Sequence, residues 1–181
     1  MGEYGRLAMS VPVAAGALVA GRVHHPTAYV GARLTFADGT SSRVYRETVI
    51  DVGDVRDPAV LLVAFRLRLV RGRRGHAAFR LESWLNTILF VGFRGFVSKL
   101  WCAHDENHTY RGLYQWDGAD RAEEYVGSLR HVLAIVSHPL SIDHVVLPDL
   151  RREDFLGGGR TVAGADDWWR VLATAPRPMS R

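Results

Sequence analysis

The stretch FVSKLWCA (96–103), HDENH (104–108) and TYRGLYQW (109–116) decides the fold. Side chains two apart in an extended chain share a face. Lys99 and Trp101 therefore share one face, and Tyr110, Gly112, Tyr114 and Trp116 share another. The polar pentapeptide between the two segments reads as a turn, which makes the pair a β-hairpin. If both rows point the same way, the hairpin carries a wall of rings with one amine.

Working outward, each side of this hairpin pairs a helix with a strand. On the N-terminal side, residues 76–90 place Ala77, Leu81, Trp84, Leu85 and Ile88 at three- and four-residue steps, which predicts a helix with one apolar face. Before it, AVLLVAFRLRLV (59–70) begins as a continuous apolar run, the mark of a central strand buried on both faces. On the C-terminal side, residues 120–136 align Ala122, Tyr125, Val126, Leu129, Leu133 and Val136 as a second amphipathic helix. Asp120 is expected to cap it. Pro139 ends it, and 141–147 supplies a last strand.

The order is β-α-β-β-α-β. Right-handed crossovers turn that order into a four-stranded antiparallel sheet with both helices on one face. The other face would be bare, so a second protomer is the expected cover. Ala37-Asp38-Gly39-Thr40 joins two further alternating segments as a hairpin. The expected fold class is thus ferredoxin-like α+β, forming a dimeric α+β barrel. Residues 1–57 are an N-terminal extension with a β-hairpin, 58–150 the barrel domain, and 151–181 a C-terminal extension with a short helix near 166–172.

FVSKLW, YRGLYQWDG and a helix opening DRAEEY (120–125) resemble the antibiotic-biosynthesis-monooxygenase superfamily, and most of all its YdhR-like monooxygenase branch. The residues that carry the likeness are Gly95, Phe96, Lys99, Trp101, Gly112, Tyr114 and Trp116, within about residues 58–150. The resemblance implies a dimeric barrel with a pocket between sheet and helices in each protomer. It also implies cofactor-independent oxygenase, cyclase or isomerase chemistry on aromatic or polyketide-like compounds. Haem-degrading members use an axial histidine on the second helix. His131 lies off the apolar face of that helix here, and no cofactor is expected.

The candidate catalytic residues are His144, Asn86 and Lys99. His144 shares a strand face with Ile142 and Val146 and suits a buried acid or base. Asn86 suits an oxyanion donor. Lys99 against rings would lose part of its basicity, because desolvation disfavours the charged form. Trp84, Trp101, Tyr114 and Trp116 are candidate substrate contacts, and Arg43, Tyr45 and Arg46 on the N-terminal hairpin suit an acidic group. Each also has a plain reading. The rings equally suit core or dimer contacts, Asn86 and Arg43 a solvated surface, and His144 a satisfied core histidine.

Composition limits the alternatives. The chain has 181 residues, 48% of them hydrophobic, with a net charge of +4. The pI near 9.6 raises the question of nucleic acid. However, Lys99 is the only lysine, the arginines are scattered, and no recognition motif accompanies them. No nucleic-acid partner is expected. No apolar run reaches membrane-spanning length. His104 and His108 flank a turn without a third ligand at metal-site spacing, so no metal is expected. His24 and His25 precede the N-terminal hairpin and read as surface residues. Cys102, the lone cysteine, reads as a buried inert thiol in a reducing, cytoplasmic setting. A non-catalytic binding module or a structural homodimer is the alternative to an enzyme.

Overall fold

The apolar run PAVLLVAFR (58–66) becomes a strand with a neighbour on each edge and a packed layer on each face. It lies in a computed structural model that describes residues 21–68, 91–158 and 168–177. The elements are β1 (Val23–His24), β2 (Arg33–Phe36), β3 (Ser41–Ile50), β4 (Pro58–Arg66), β5 (Phe96–Cys102), β6 (Thr109–Asp117), α1 (Ala119–Val136), a 3-10 turn (Pro139–Ser141), β7 (Asp143–Pro148), α2 (Arg152–Leu156) and β8 (Val171–Ala175). The helix expected over 76–90 lies outside the described residues.

The strands join in one curled antiparallel sheet in the order β7-β4-β6-β5-β3-β2-β8, with β1 also on β3. The decisive hairpin sits at its centre. β6 pairs with β5, Lys99 opposite Tyr114 and Trp101 opposite Gly112, and with β4 along nine residue pairs. The N-terminal hairpin continues this sheet, because the second half of β3 pairs with β5. Gly39 takes φ 81° in the turn between β2 and β3, a conformation that suits glycine.

Strand alternation sorts the core onto the two faces. Ala59, Leu61, Val63, Phe96, Trp101, Tyr114 and Trp116 pack beneath α1, against Ala122, Tyr125, Val126 and Leu133. Val60, Leu62, Leu100, Cys102 and Leu113 point the other way, together with Leu34, Phe36 and Val44. Full burial of each such aliphatic side chain contributes roughly 1.5–3 kcal/mol.

Three expectations are corrected. The second face is not bare, because Leu150, Phe155, Leu156 and Val171 cover it, with Trp168 and Trp169 packed alongside. The C-terminal segment thus supplies a cover that the bare-sheet argument assigned to a second protomer. Second, Val171 and Leu172 belong to β8 rather than to a helix. β8 pairs with β2, whose outer edge would otherwise expose unpaired backbone groups. The short helix is α2, earlier in the chain. Third, Asp120 does not cap α1. Gly118 holds the cap position, and no side chain caps the helix. Asp120 lies in the first turn, where a carboxylate still favours the helix dipole. The neighbouring Asp117 carboxylate instead accepts the backbone N–H groups of Arg56 and Asp57, at 2.9 Å each.

Candidate functional site

Lys99 and the aromatic rows of the central hairpin do point to one face, the face under α1. The Lys99 Nζ stands 3.4 Å from the centroid of the Trp101 ring and 4.6 Å from that of Tyr114. Only 7% of Lys99 is exposed. Trp101 is fixed by its indole N–H, which donates to Thr48 Oγ1 at 3.1 Å. Gly112 makes the arrangement possible. A Cβ there would lie 2.8 Å from Tyr114 Cε2, so the Tyr114 ring occupies the space a side chain would take. Tyr45 packs at the margin, its ring 6.4 Å from Trp101.

Two further residues complete it: Arg46, which the sequence groups with Arg43 and Tyr45, and Tyr125, which it places only in the core face of the second helix. The Arg46 guanidinium carbon lies 3.8 Å from the Trp101 centroid, so Lys99 and Arg46 both rest on one indole. Tyr125 of α1 closes the cluster from above, its hydroxyl 3.3 Å from that of Tyr114. Tyr125 also leans on Trp116, with ring centroids 5.0 Å apart. Trp116 is fully buried, and its indole N–H has no acceptor among the described residues. Leaving such a donor unmet costs roughly 1–3 kcal/mol.

The electrostatics follow from this packing. Burial, reinforced by the adjacent Arg46, holds the Lys99 amine well below the ordinary lysine range. The two rings oppose that shift, since a desolvated cation–π contact favours the ammonium by about 2 kcal/mol. Burial also draws Arg46 down to about 10, which leaves it charged at neutral pH. Burial raises the Tyr114 phenol well above its usual value, with Tyr125 adding to the effect. Cys102 is buried and pushed up to about 12, as an inert thiol should be. The cluster therefore joins a base of reduced strength, a fixed cation, neutral phenols and flat apolar surface.

The remaining sequence candidates lie elsewhere. Trp84 and Asn86 fall outside the described residues. His144 is half-buried on the edge strand β7, and its Nε2 meets Glu123 Oε2 at 3.2 Å. Three strand spacings separate β7 from β5, roughly 14 Å. His144 and Lys99 thus do not address the same ligand atom. Arg43 is exposed, opposite Arg33 across the β2–β3 ladder. His24 pairs with Asp51 at 2.8 Å on the surface, and His25 bonds the Glu47 carbonyl at 3.2 Å. His131 is exposed on α1, its Nδ1 2.9 Å from the Gly127 carbonyl. The His104 and His108 rings lie 5.6 Å apart. Among the described residues no group of three or more side chains could hold a metal ion, and no helix is long and apolar enough to cross a membrane.

No family model and no curated protein matches the chain. Three solved structures share part of its shape. One is an uncharacterized ferredoxin fold protein related to antibiotic biosynthesis monooxygenases from Listeria monocytogenes, with 12% identity and a TM-score of 0.44, covering 62% of this chain and 66% of that one. Another is a monooxygenase-like protein from Listeria innocua, with 16% identity and a TM-score of 0.42, covering 64% and 69% respectively. The third is an anthrone oxidase-like protein, with 14% identity and a TM-score of 0.37, covering 60% and 53%. Likenesses of this strength carry no activity over to the present chain.

Proposed function

We propose that the face under α1 binds a small, flat, hydrophobic compound with an acidic hydroxyl or an enolisable carbonyl, and transforms it without a cofactor. The observation that carries this reading is Lys99, nine-tenths buried with its Nζ 3.4 Å from the Trp101 ring. Perturbed titratable groups in apolar surroundings are candidates for proton transfer. Lys99 takes the ligand's proton, and Arg46 stands beside it to balance the anion that results. The unmet Trp116 N–H is a donor left over for a ligand oxygen. In the ladder Trp116 stands opposite Phe96, on the same face as the Tyr114–Lys99 pair.

The resulting anion has several outcomes. In an oxygenase the carbanion itself reacts with O₂. In a cyclase or isomerase Lys99 returns the proton to another atom of the same compound. The resemblance to the monooxygenase superfamily favours the first, acting on aromatic or polyketide-like compounds. The strand order β7-β4-β6-β5 is the one that interlocked crossovers produce, and it supports the ferredoxin-like reading. If the chain forms a homodimer, the second copy uses a surface other than the covered sheet face.

A second reading keeps the binding but no chemistry. It is favoured by the Tyr114–Tyr125 hydroxyl contact, in which the two phenols satisfy one another. Turnover separates the two. Hydroxylated polycyclic ketones are incubated with the protein in air and under argon, without added metal. The enzyme reading expects product, reduced at least about a hundredfold by Lys99→Met. Product formed equally by the variant, or tight binding with no product from any compound, would sink it.

A further inference from the structure

The back of the sheet, behind Lys99, carries a buried polar network that the proposed chemistry does not use. Arg152, the first residue of α2, is 7% exposed. Its Nη1 pairs with Glu47 Oε1 at 3.0 Å and donates to Ser98 Oγ at 3.0 Å. Its backbone N–H donates to Gln115 Oε1 at 2.5 Å. The Gln115 amide in turn donates to the carbonyls of Ala59 at 3.0 Å and Trp116 at 3.2 Å. One residue therefore reaches β3, β5 and β6, the three strands that carry Arg46, Lys99 and Tyr114.

The positions it grips are the immediate neighbours of the site. Glu47 lies between Arg46 and Thr48, Ser98 precedes Lys99, and Gln115 follows Tyr114. In the ladders Thr48 faces Lys99, Val49 faces Ser98, and Ser98 faces Gln115. Both ladders are irregular here, with shifts between Val44 and Arg46 and between Phe96 and Ser98. A one-residue slip turns every side chain of a strand to the other face, so the register through these irregular ladders must be held by specific contacts. The Glu47 carboxylate is 2% exposed, and a charge buried so deeply needs its cation in place. Glu47 pairs with Arg152 through Oε1 and its Oε2 has no partner among the described residues, so a slip of β3 that withdrew Arg152 would leave the buried carboxylate bare.

We propose that Arg152 is a positioning residue, which fixes from behind the β3–β5–β6 register that sets Lys99 beside Arg46, Trp101 and Tyr114. This rests on the reading of Lys99 as the working base. The amine reports the register directly, since the groups around it come from separate strands: Arg46 from β3, Trp101 from β5 and Tyr114 from β6. Tyr125 of α1 meets Tyr114, and Tyr45 of β3 lies beside Trp101. When β3 slips against β5, Arg46 leaves the Trp101 ring, and Lys99 loses the part of its depression that this adjacent cation adds to burial.

The test is reductive methylation of the intact protein across pH, with the site read by mass spectrometry. Lys99 is the only lysine, so the side-chain signal is unambiguous. In the wild type the reactivity midpoint lies below that of an ordinary lysine. The Glu47→Gln/Arg152→Gln pair, which leaves no lone buried charge, is expected to raise the midpoint by about one pH unit. It is also expected to weaken binding of a hydroxylated polycyclic ketone about tenfold. Arg152→Lys, which keeps the charge but loses the fork, shifts both in the same direction and by less. Wild-type midpoints and affinity in both variants, whatever their melting temperatures, would overturn the proposal. Should Lys99→Met bind the ketone as tightly as the wild type, the functional reading fails, while the midpoint shift still decides the register claim.

Discussion

At the scale of single residues, Lys99 sets a pH signature for stability. Its folded pKa is depressed, so between that value and the ordinary lysine value of 10.5 the unfolded chain holds a proton that the folded chain does not. Stability contributed by the group therefore rises with pH through that window. Cys102, raised from 9.0, works in the opposite direction above about pH 9, as do the raised phenols of Tyr114 and Tyr125 above 10.0. The rising slope is expected below about pH 9, and Lys99→Met should abolish it. Chemical denaturation at a series of pH values measures this, and at neutral pH the variant should be equal to the wild type or more stable by about 1–2 kcal/mol. Gly112→Ala is expected to cost about 1–3 kcal/mol, because the new methyl occupies the Tyr114 ring's space. Urea unfolding gives the number, and a neutral result would mean that Tyr114 moves freely. Much of this site is legible in the sequence, since alternation alone groups Lys99 with Trp101 and Tyr114 with Trp116. Arg46 is not. The irregularity between Val44 and Arg46 brings Arg46 onto the Trp101 ring while Tyr45 packs against that same ring, and no simple alternation predicts it.

At the scale of elements, the two hairpin tips are laced together by buried charge. Arg111 is held between Asp105 and Asp38, with its guanidinium carbon 4.2 Å from the Phe36 centroid. Asp105 Oδ1 also accepts the backbone N–H groups of Asn107 and Thr109, at 2.8 and 2.9 Å, so it shapes its own turn. Asp105→Ala leaves a buried guanidinium short of a partner and is expected to destabilise by about 3–5 kcal/mol, measured by denaturant unfolding. A loss below 1 kcal/mol would show that Asp38 suffices. The strands were readable because apolar and turn residues mark them: β4, β5 and β6 follow the expected spans within a few residues. The C-terminal elements were not. α2 has only five residues, too few to show a helical period, and β8 is defined by the β2 edge it completes rather than by its own pattern. The cap on α1 was misplaced because the helix begins at Ala119, which puts Gly118 at the cap position and Asp120 inside the first turn.

At the scale of the whole molecule, the chain covers both faces of its own sheet. Val171 of β8 is 4% exposed within that second layer. Val171→Asp is expected to cost about 3 kcal/mol or more and to leave the oligomeric state unchanged, as read by denaturation and sedimentation velocity. A change of assembly state without loss of stability would place that face in an interface. The central claim remains that the ring-and-amine face takes up an acidic, flat ligand. Absorbance titration of a weakly acidic polycyclic phenol into the protein tests it most directly, because the phenolate spectrum reports proton transfer to Lys99. The account predicts saturable binding with the phenolate band appearing below the free phenol's own pKa, and loss of that band in Lys99→Met. Absence of binding, or an identical band in the variant, would contradict it.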